Sequence, residues 1–170
     1  DLLTHDITEY LVRTSAAELN KENARSIGRM LRIVAELEEV SDAIYRLIQI
    51  TNRKYKKDRM VTGDVAKDII AFAEKVLALI DLYMDVLENG ADEEKLKQAQ
   101  DLEDETDKLR KQQNKAAMAR MSADPTTVKA EMVVIEMNNQ FELIANYGLN
   151  VVQTAFYLEH YDDIPDKYEK

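Results

Sequence analysis

The chain predicts an all-α fold, an antiparallel bundle of long helices, and three observations carry that reading. Its 170 residues are rich in Ala, Leu, Glu, Lys and Met, with only four Gly and two Pro to interrupt them. Val65, Ile69, Phe72, Val76, Ile80, Tyr83 and Leu87 alternate steps of four and three, the spacing of a bundle seam. Asn89-Gly90 is a strong helix stop and Asp92-Glu93-Glu94 a strong start, so long helices are joined by short connections and neighbours run mostly antiparallel.

Residues 1–15 read as a truncated helix with Leu3, Ile7, Tyr10, Leu11 and Thr14 on one side. Asn20 is placed to cap a long helix that runs to about Asn52 and ends in the basic stretch 53–59, cations suited to a helix C-terminus. Thr62-Gly63-Asp64 punctuates the chain and supplies the cap of the next helix, which carries the seam above. A fourth helix runs from Asp92 to about Met121. Ser122-Ala123-Asp124-Pro125 ends it, Pro125 suits the first position of the last helix, and that helix continues to about His160. The stretch 161–170, broken by Pro165, is expected to be a flexible tail.

The length allows one self-sufficient core. A net charge of −10 speaks against a nucleic-acid surface. With no cysteine, disulfides and thiolate metal sites are excluded. No apolar run is long enough to span a bilayer. The start at Asp1, without methionine and inside an expected helix, reads as a cut-out piece of something longer.

One pattern recurs: an apolar residue, Glu, two free positions, a small residue, then Asp or Asn. It stands at Leu37-Glu38-Glu39-Val40-Ser41-Asp42, at Leu102-Glu103-Asp104-Glu105-Thr106-Asp107, and, weakened, at Phe141-Glu142-Leu143-Ile144-Ala145-Asn146. On a helix each copy stacks two oxygen ligands on one face. Chance alone supplies several acidic pairs in so acidic a chain, so position is what counts. Glu38 falls within the stripe Ile27, Met30, Leu31, Leu37, Ile44, Tyr45 and Ile48, with Asp42 at its edge, while Glu36 and Glu39 point away. Glu103 falls on the face of Leu96, Ala99, Leu102, Leu109 and Ala117, with Asp107 at its border. A core-facing carboxylate is costly unless paired, protonated or metal-bound.

Oxygen donors without Cys suit magnesium, manganese, calcium or ferric iron, with zinc also open. Glu103 and Asp107 facing Glu142 and Asn146 would make one site, with Asn138 and Asn139 adding neutral oxygens. The competing reading pairs the carboxylates with Arg25, Arg32, Arg46 or Arg110. Catalytic readings find little: neither His5 nor His160 has a Glu three residues before it, and there is no Gly-rich phosphate loop or nucleophile elbow. An enzyme is not expected.

The three acidic segments give the chain its resemblance to the PhoU family, helical regulators of phosphate uptake. Leu37–Asp42 and Phe141–Asn146 resemble the family's Leu-Glu-Arg-Ile-Gly-Asp-like segments, Asn23-Ala24-Arg25 its Asp-Leu-Arg element, and Glu103 to Asp107 the acidic pair of its fifth helix. In the same register Asp1 lines up with Asp107. The resemblance implies two three-helix halves, an incomplete first at 1–62 and a complete second at 63–160. It also implies metal binding (iron, zinc, manganese or magnesium) by Asp1, Glu38 and Asp42 in one half and by Glu103, Asp107, Glu142 and Asn146 in the other. Glu39, Ser41 and Ala43 replace the family's Arg, Gly and His, and Asn146 replaces Asp. A trimmed copy is most similar to the cytoplasmic C-terminal domain of bacterial sodium-dependent phosphate cotransporters. That implies a regulatory role at the cytoplasmic face of the membrane, with the transporter part and a second copy as partners. The alternative is a free-standing helical adaptor without metal.

Overall fold

The computed structural model describes residues 2–15, 21–56, 61 and 63–160. Among these, every regular element is helical: α1 (Leu2–Ser15), α2 (Lys21–Lys56), α3 (Asp64–Asn89), α4 (Glu93–Ala123) and α5 (Val128–Glu159), with a 3-10 turn (Pro125–Thr127) ahead of α5. Asp1, the Asn20 cap, the basic residues 57–59 and the tail 161–170 lie outside the described residues.

The helix ends follow local chemistry. Gly90 closes α3 at φ 89 and donates its N–H to the Val86 carbonyl. A Cβ at Gly90 would come within 3.0 Å of the Glu159 carboxylate, which accepts the Ala91 N–H at 3.0 Å and ties the end of α5 to the α3–α4 loop. Asp92 caps α4 by accepting the Lys95 N–H at 2.7 Å. Within Thr62-Gly63-Asp64, Gly63, at φ 64, is the residue that caps α3, where glycine carries no steric cost, and Asp64 is the first residue of the helix. One site differs from expectation. Pro125 opens the 3-10 turn rather than α5, with Asp124 accepting the Thr126 N–H at 2.9 Å.

Helices α3, α4 and α5 form an up-down-up bundle. The α3–α4 register is fixed by three contacts evenly spaced along the pair: Gln113 to the Asp68 carbonyl at 2.9 Å, Lys75 to Glu105 at 2.7 Å, and Lys95 to Asp85 at 2.6 Å. Parallel α3 and α5 meet through Phe72 and Phe141, their ring centroids 5.1 Å apart, and through Gly148, over which Tyr83 and Leu79 lie. Buried Ile69, Phe72, Val76, Leu79, Tyr83 and Val86 make the α3 seam. Ile80, expected in it, packs at its edge half-buried, and Leu87 is exposed, because a 3.6-residue helix drifts from a strict heptad.

Helix α2 reaches this bundle through α5, running antiparallel along its flank, and α1 packs on α2. Ile33, Val40, Ala43 and Ile50 of α2 join one continuous core with α3–α5. The polar contacts keep a single register: Arg29 to the Tyr157 carbonyl, Glu36 to Asn150 at 3.1 Å, and the Tyr147 hydroxyl to Glu39. Arg53 to Glu136 at 3.0 Å extends the pairing to the other end. This corrects the expected stripe of α2. Met30, Tyr45 and Ile48 are exposed, whereas Glu36 and Glu39 lie on the α5 side. The helix carries two apolar faces, and α5 took the one bearing Val40 and Ala43, small enough for close approach.

Gly148 tests the α3–α5 approach, since a Cβ there would lie 3.2 Å from the Tyr83 ring and 3.4 Å from Leu79. Gly148→Val is expected to cost about 1–3 kcal/mol by overpacking, read as a lower urea midpoint at unchanged m-value.

Candidate functional site

The candidate site lies on the α4–α5 seam, where α4 is unusually polar. Its buried line is Ala99, Thr106, Gln113 and Ala117, small or hydrogen-bonding residues on the face that α4 turns into the bundle. Thr106 donates to the Glu103 carbonyl at 2.8 Å, discharging its hydroxyl inside its own helix. Flanking this line, Glu103, Asp107, Arg110 and Asn114 are half-buried. The sequence stripe placed Glu103 and Asp107 correctly at the seam. Thr106 and Gln113 went unread, although their seven-residue step from Ala99 was a visible signal.

Burial pushes the Glu103 carboxyl above its ordinary range, and the negative charges of Asp104, Asp107 and Glu142 push it further, opposed by Lys111. The seam therefore brings Glu103, Asp107 and Glu142 into one electrostatic neighbourhood. Asp107 moves the opposite way: hydrogen bonds from Lys111 and Arg110 hold its carboxyl below the usual range. The Arg110 guanidinium lies 2.9 Å from one Asp107 oxygen, and Lys111 holds the other. The two cations form a clamp around Asp107. Arg110 also turns its Nε inward, where that atom has no hydrogen-bond partner among the described residues.

Further along the seam Asn138, fully buried, donates to Asn114 Oδ1 at 3.0 Å, and Asn114 donates to Asn139 Oδ1 at 3.1 Å. At the end of the seam Arg120 grips Glu131 with two bonds of 2.7 and 2.8 Å, which raise the Arg120 pKa.

The other expected site residues are placed as follows. Asn146 is exposed on α5. Asp42 is exposed and pairs with Arg46 at 3.5 Å, while Glu38 is half-buried and engaged by a neighbour. Asp1 lies outside the described residues. Among the described residues no group of three or more His, Asp or Glu side chains is placed to hold a metal ion. The seam carboxylates fit a hard cation in their chemistry and their mutual repulsion, but the clamp occupies Asp107 in this conformation.

The sequence profile of the PhoU domain matches residues 69–155, from the second turn of α3 to near the end of α5. The chain belongs to the PhoU family. No curated protein matches it. The match spans the α3–α5 bundle and includes both Glu103–Asp107 and Glu142–Asn146. PhoU proteins are regulatory and non-enzymatic, so membership points to a regulatory role in phosphate transport. No helix among the described residues is long and apolar enough to cross a membrane.

A pH dependence follows. The native state binds the Glu103 proton more tightly than the unfolded chain does. The stability Glu103 contributes is therefore complete below the unfolded pKa and is lost as pH rises through the higher folded value. In chelated protein Glu103→Gln should be more stable than wild type at neutral pH. That gain should disappear below about pH 4, as urea midpoints across the range would read. Asp107→Asn should behave oppositely, losing stability at neutral pH and converging with wild type in strong acid.

Proposed function

We propose that this PhoU domain is the cytoplasmic regulatory part of a sodium-dependent phosphate cotransporter, and that its α4–α5 seam takes a metal cation as part of that regulation. The PhoU-domain match supports the regulatory role, and the metal reading is carried by half-buried Glu103 lying on the α4–α5 seam among the negative charges of Asp104, Asp107 and Glu142. A cluster of carboxylates that repel one another is a poor structural device on its own and a natural receiver of positive charge. Glu103, Asp107 and Glu142 would hold the cation, with Asn138 and Asn139 as neighbouring neutral oxygens. Asp107 is the controlled ligand, because Arg110 and Lys111 must let it go before it can bind.

In this reading the cation and the basic clamp compete for one carboxylate, so the bundle has two charge states along the seam. The transporter part and a second copy of the chain are the partners that would sense them. Glu38 and Asp42 on α2, with Asp1, form the weaker second set, because Asp42 is exposed and already paired with Arg46. A free-standing adaptor without metal is the reading this one displaces.

Metal analysis together with thermal melting tests the seam. Added manganese, iron, zinc or magnesium should raise the melting temperature of chelated wild type, by roughly the amount equivalent to 2.7 kcal/mol at a hundredfold excess over Kd. Glu103→Gln with Asp107→Asn should remove that response. A melting curve unmoved by all four ions would refute metal binding. Deleting the domain from the intact transporter tests the regulatory role: phosphate uptake should lose its dependence on external phosphate while the membrane part stays inserted. Unaltered uptake would refute it.

A further inference from the structure

The outward face of α3 has an organisation that the seam does not explain. Ile70, Leu77 and Met84 stand seven residues apart and are 58%, 55% and 46% exposed. Ala73 and Ile80 fall between them and Leu87 follows, giving an unbroken three-four repeat; Ala73 and Ile80 are packed against the core and fix the stripe to the bundle. Scattered exposed apolar residues need no explanation, but a continuous stripe along most of a helix does. Among the described elements α3 packs only on α4 and α5, so nothing described covers this face.

The stripe is bordered by charge of one sign. At 100° per residue Glu74, Asp81 and Glu88, all exposed and again seven apart, lie directly beside it. The same column begins with Lys67, whose ammonium is engaged by Asp64 at 2.9 Å. Next to the acidic column Ala71 and Ala78 are exposed and small, so a partner could approach closely on that side. Asp85, farther round, is engaged by Lys95 and Asn89 and belongs to the bundle's own contacts.

We propose that this face of α3 is a docking site for a basic amphipathic helix of a partner protein. Its apolar side would lie along Ile70, Leu77 and Met84, and its lysines or arginines would lie over Glu74, Asp81 and Glu88. Helix-on-helix recognition reads anchors at this spacing, and complementary charge beside them selects partner and orientation. A second copy of the chain is the wrong occupant. An antiparallel contact centred on Leu77 sets Glu74 and Asp81 of one copy against Asp81 and Glu74 of the other. In either orientation the contact also brings together two chains that each carry a net charge of −10. An anionic membrane surface is repelled by the same column. The inference stands on α3 and is independent of the metal reading of the seam.

The test uses isotope-labelled domain, at physiological salt, with two synthetic amphipathic helical peptides that share one leucine face. One is completed with lysine and the other with glutamate. The lysine peptide should perturb the amides of α3 from Ile70 to Leu87, and the glutamate peptide should leave them unmoved. Leu77→Ser with Met84→Ser, which preserves net charge, should weaken the lysine peptide by about tenfold or more. Glu74→Lys with Asp81→Lys and Glu88→Lys, which preserves the stripe, should transfer preference to the glutamate peptide. All five substitutions are at exposed positions, and circular dichroism would verify that the fold is retained. Perturbations mapping away from α3, or lysine-peptide affinity unaltered in either variant, would overturn the proposal. So would a dimer in sedimentation equilibrium that Leu77→Ser dissolves, or binding to phosphatidylglycerol vesicles that the stripe substitutions abolish.

Discussion

Everything in this structure depends on α5 being packed against three helices at once. It meets α2, α3 and α4, so its apolar surface cannot be a single stripe, and its buried residues run nearly round it. Close approach on the α3 side is permitted by Ala145 and Gly148, and on the α2 side by small residues of α2 itself, Val40 and Ala43. The remaining side, toward α4, is closed by hydrogen bonds as well as by the α4 side chains Leu96, Ala99, Leu102 and Leu109 that join the core. Arg120–Glu131 and the Asn114–Asn138–Asn139 chain set the α4–α5 register as firmly as side-chain volume would.

That polar closure is also what creates the site. Because α4 contributes Thr106 and Gln113 where an ordinary bundle helix would contribute leucines, its flanking carboxylates sit at the edge of a low-dielectric layer instead of in open water. Glu103 feels burial and three negative neighbours, whereas Asp107, one turn away, is held by two cations. The same acidic segment thus contains one destabilised and one satisfied carboxylate. A seam with both is more responsive to added charge than one in which every acid is already paired.

The two regions with functional readings occupy different faces of the bundle. The acidic seam belongs to α4 and α5, and the apolar stripe with its acidic border belongs to α3. Helix α3 connects them, since Lys75 reaches Glu105 and Gln113 reaches the Asp68 carbonyl. A change in how α4 sits at the seam would therefore be felt along α3 through contacts that keep one register.

By itself the sequence determined the fold class, the five helices of the described residues, the ends at Gly63, Gly90 and Asp124, and the family, because these depend on local propensity, capping and short-range spacing. It also placed Glu103 and Asp107 on the seam, since α4 has one dominant face. It could not choose between the two apolar faces of α2. The face toward α5 was selected by the fit of Val40 and Ala43; it set Glu36, half-buried, and Glu39, still exposed, beside α5 and left Tyr45 and Ile48 outside. Nor could spacing foresee that Asp107 would be clamped by Arg110 and Lys111, or that Leu87 would be left exposed at the end of the α3 seam. Those outcomes depend on which helices meet, at what register and how closely, and only three-dimensional packing decides that.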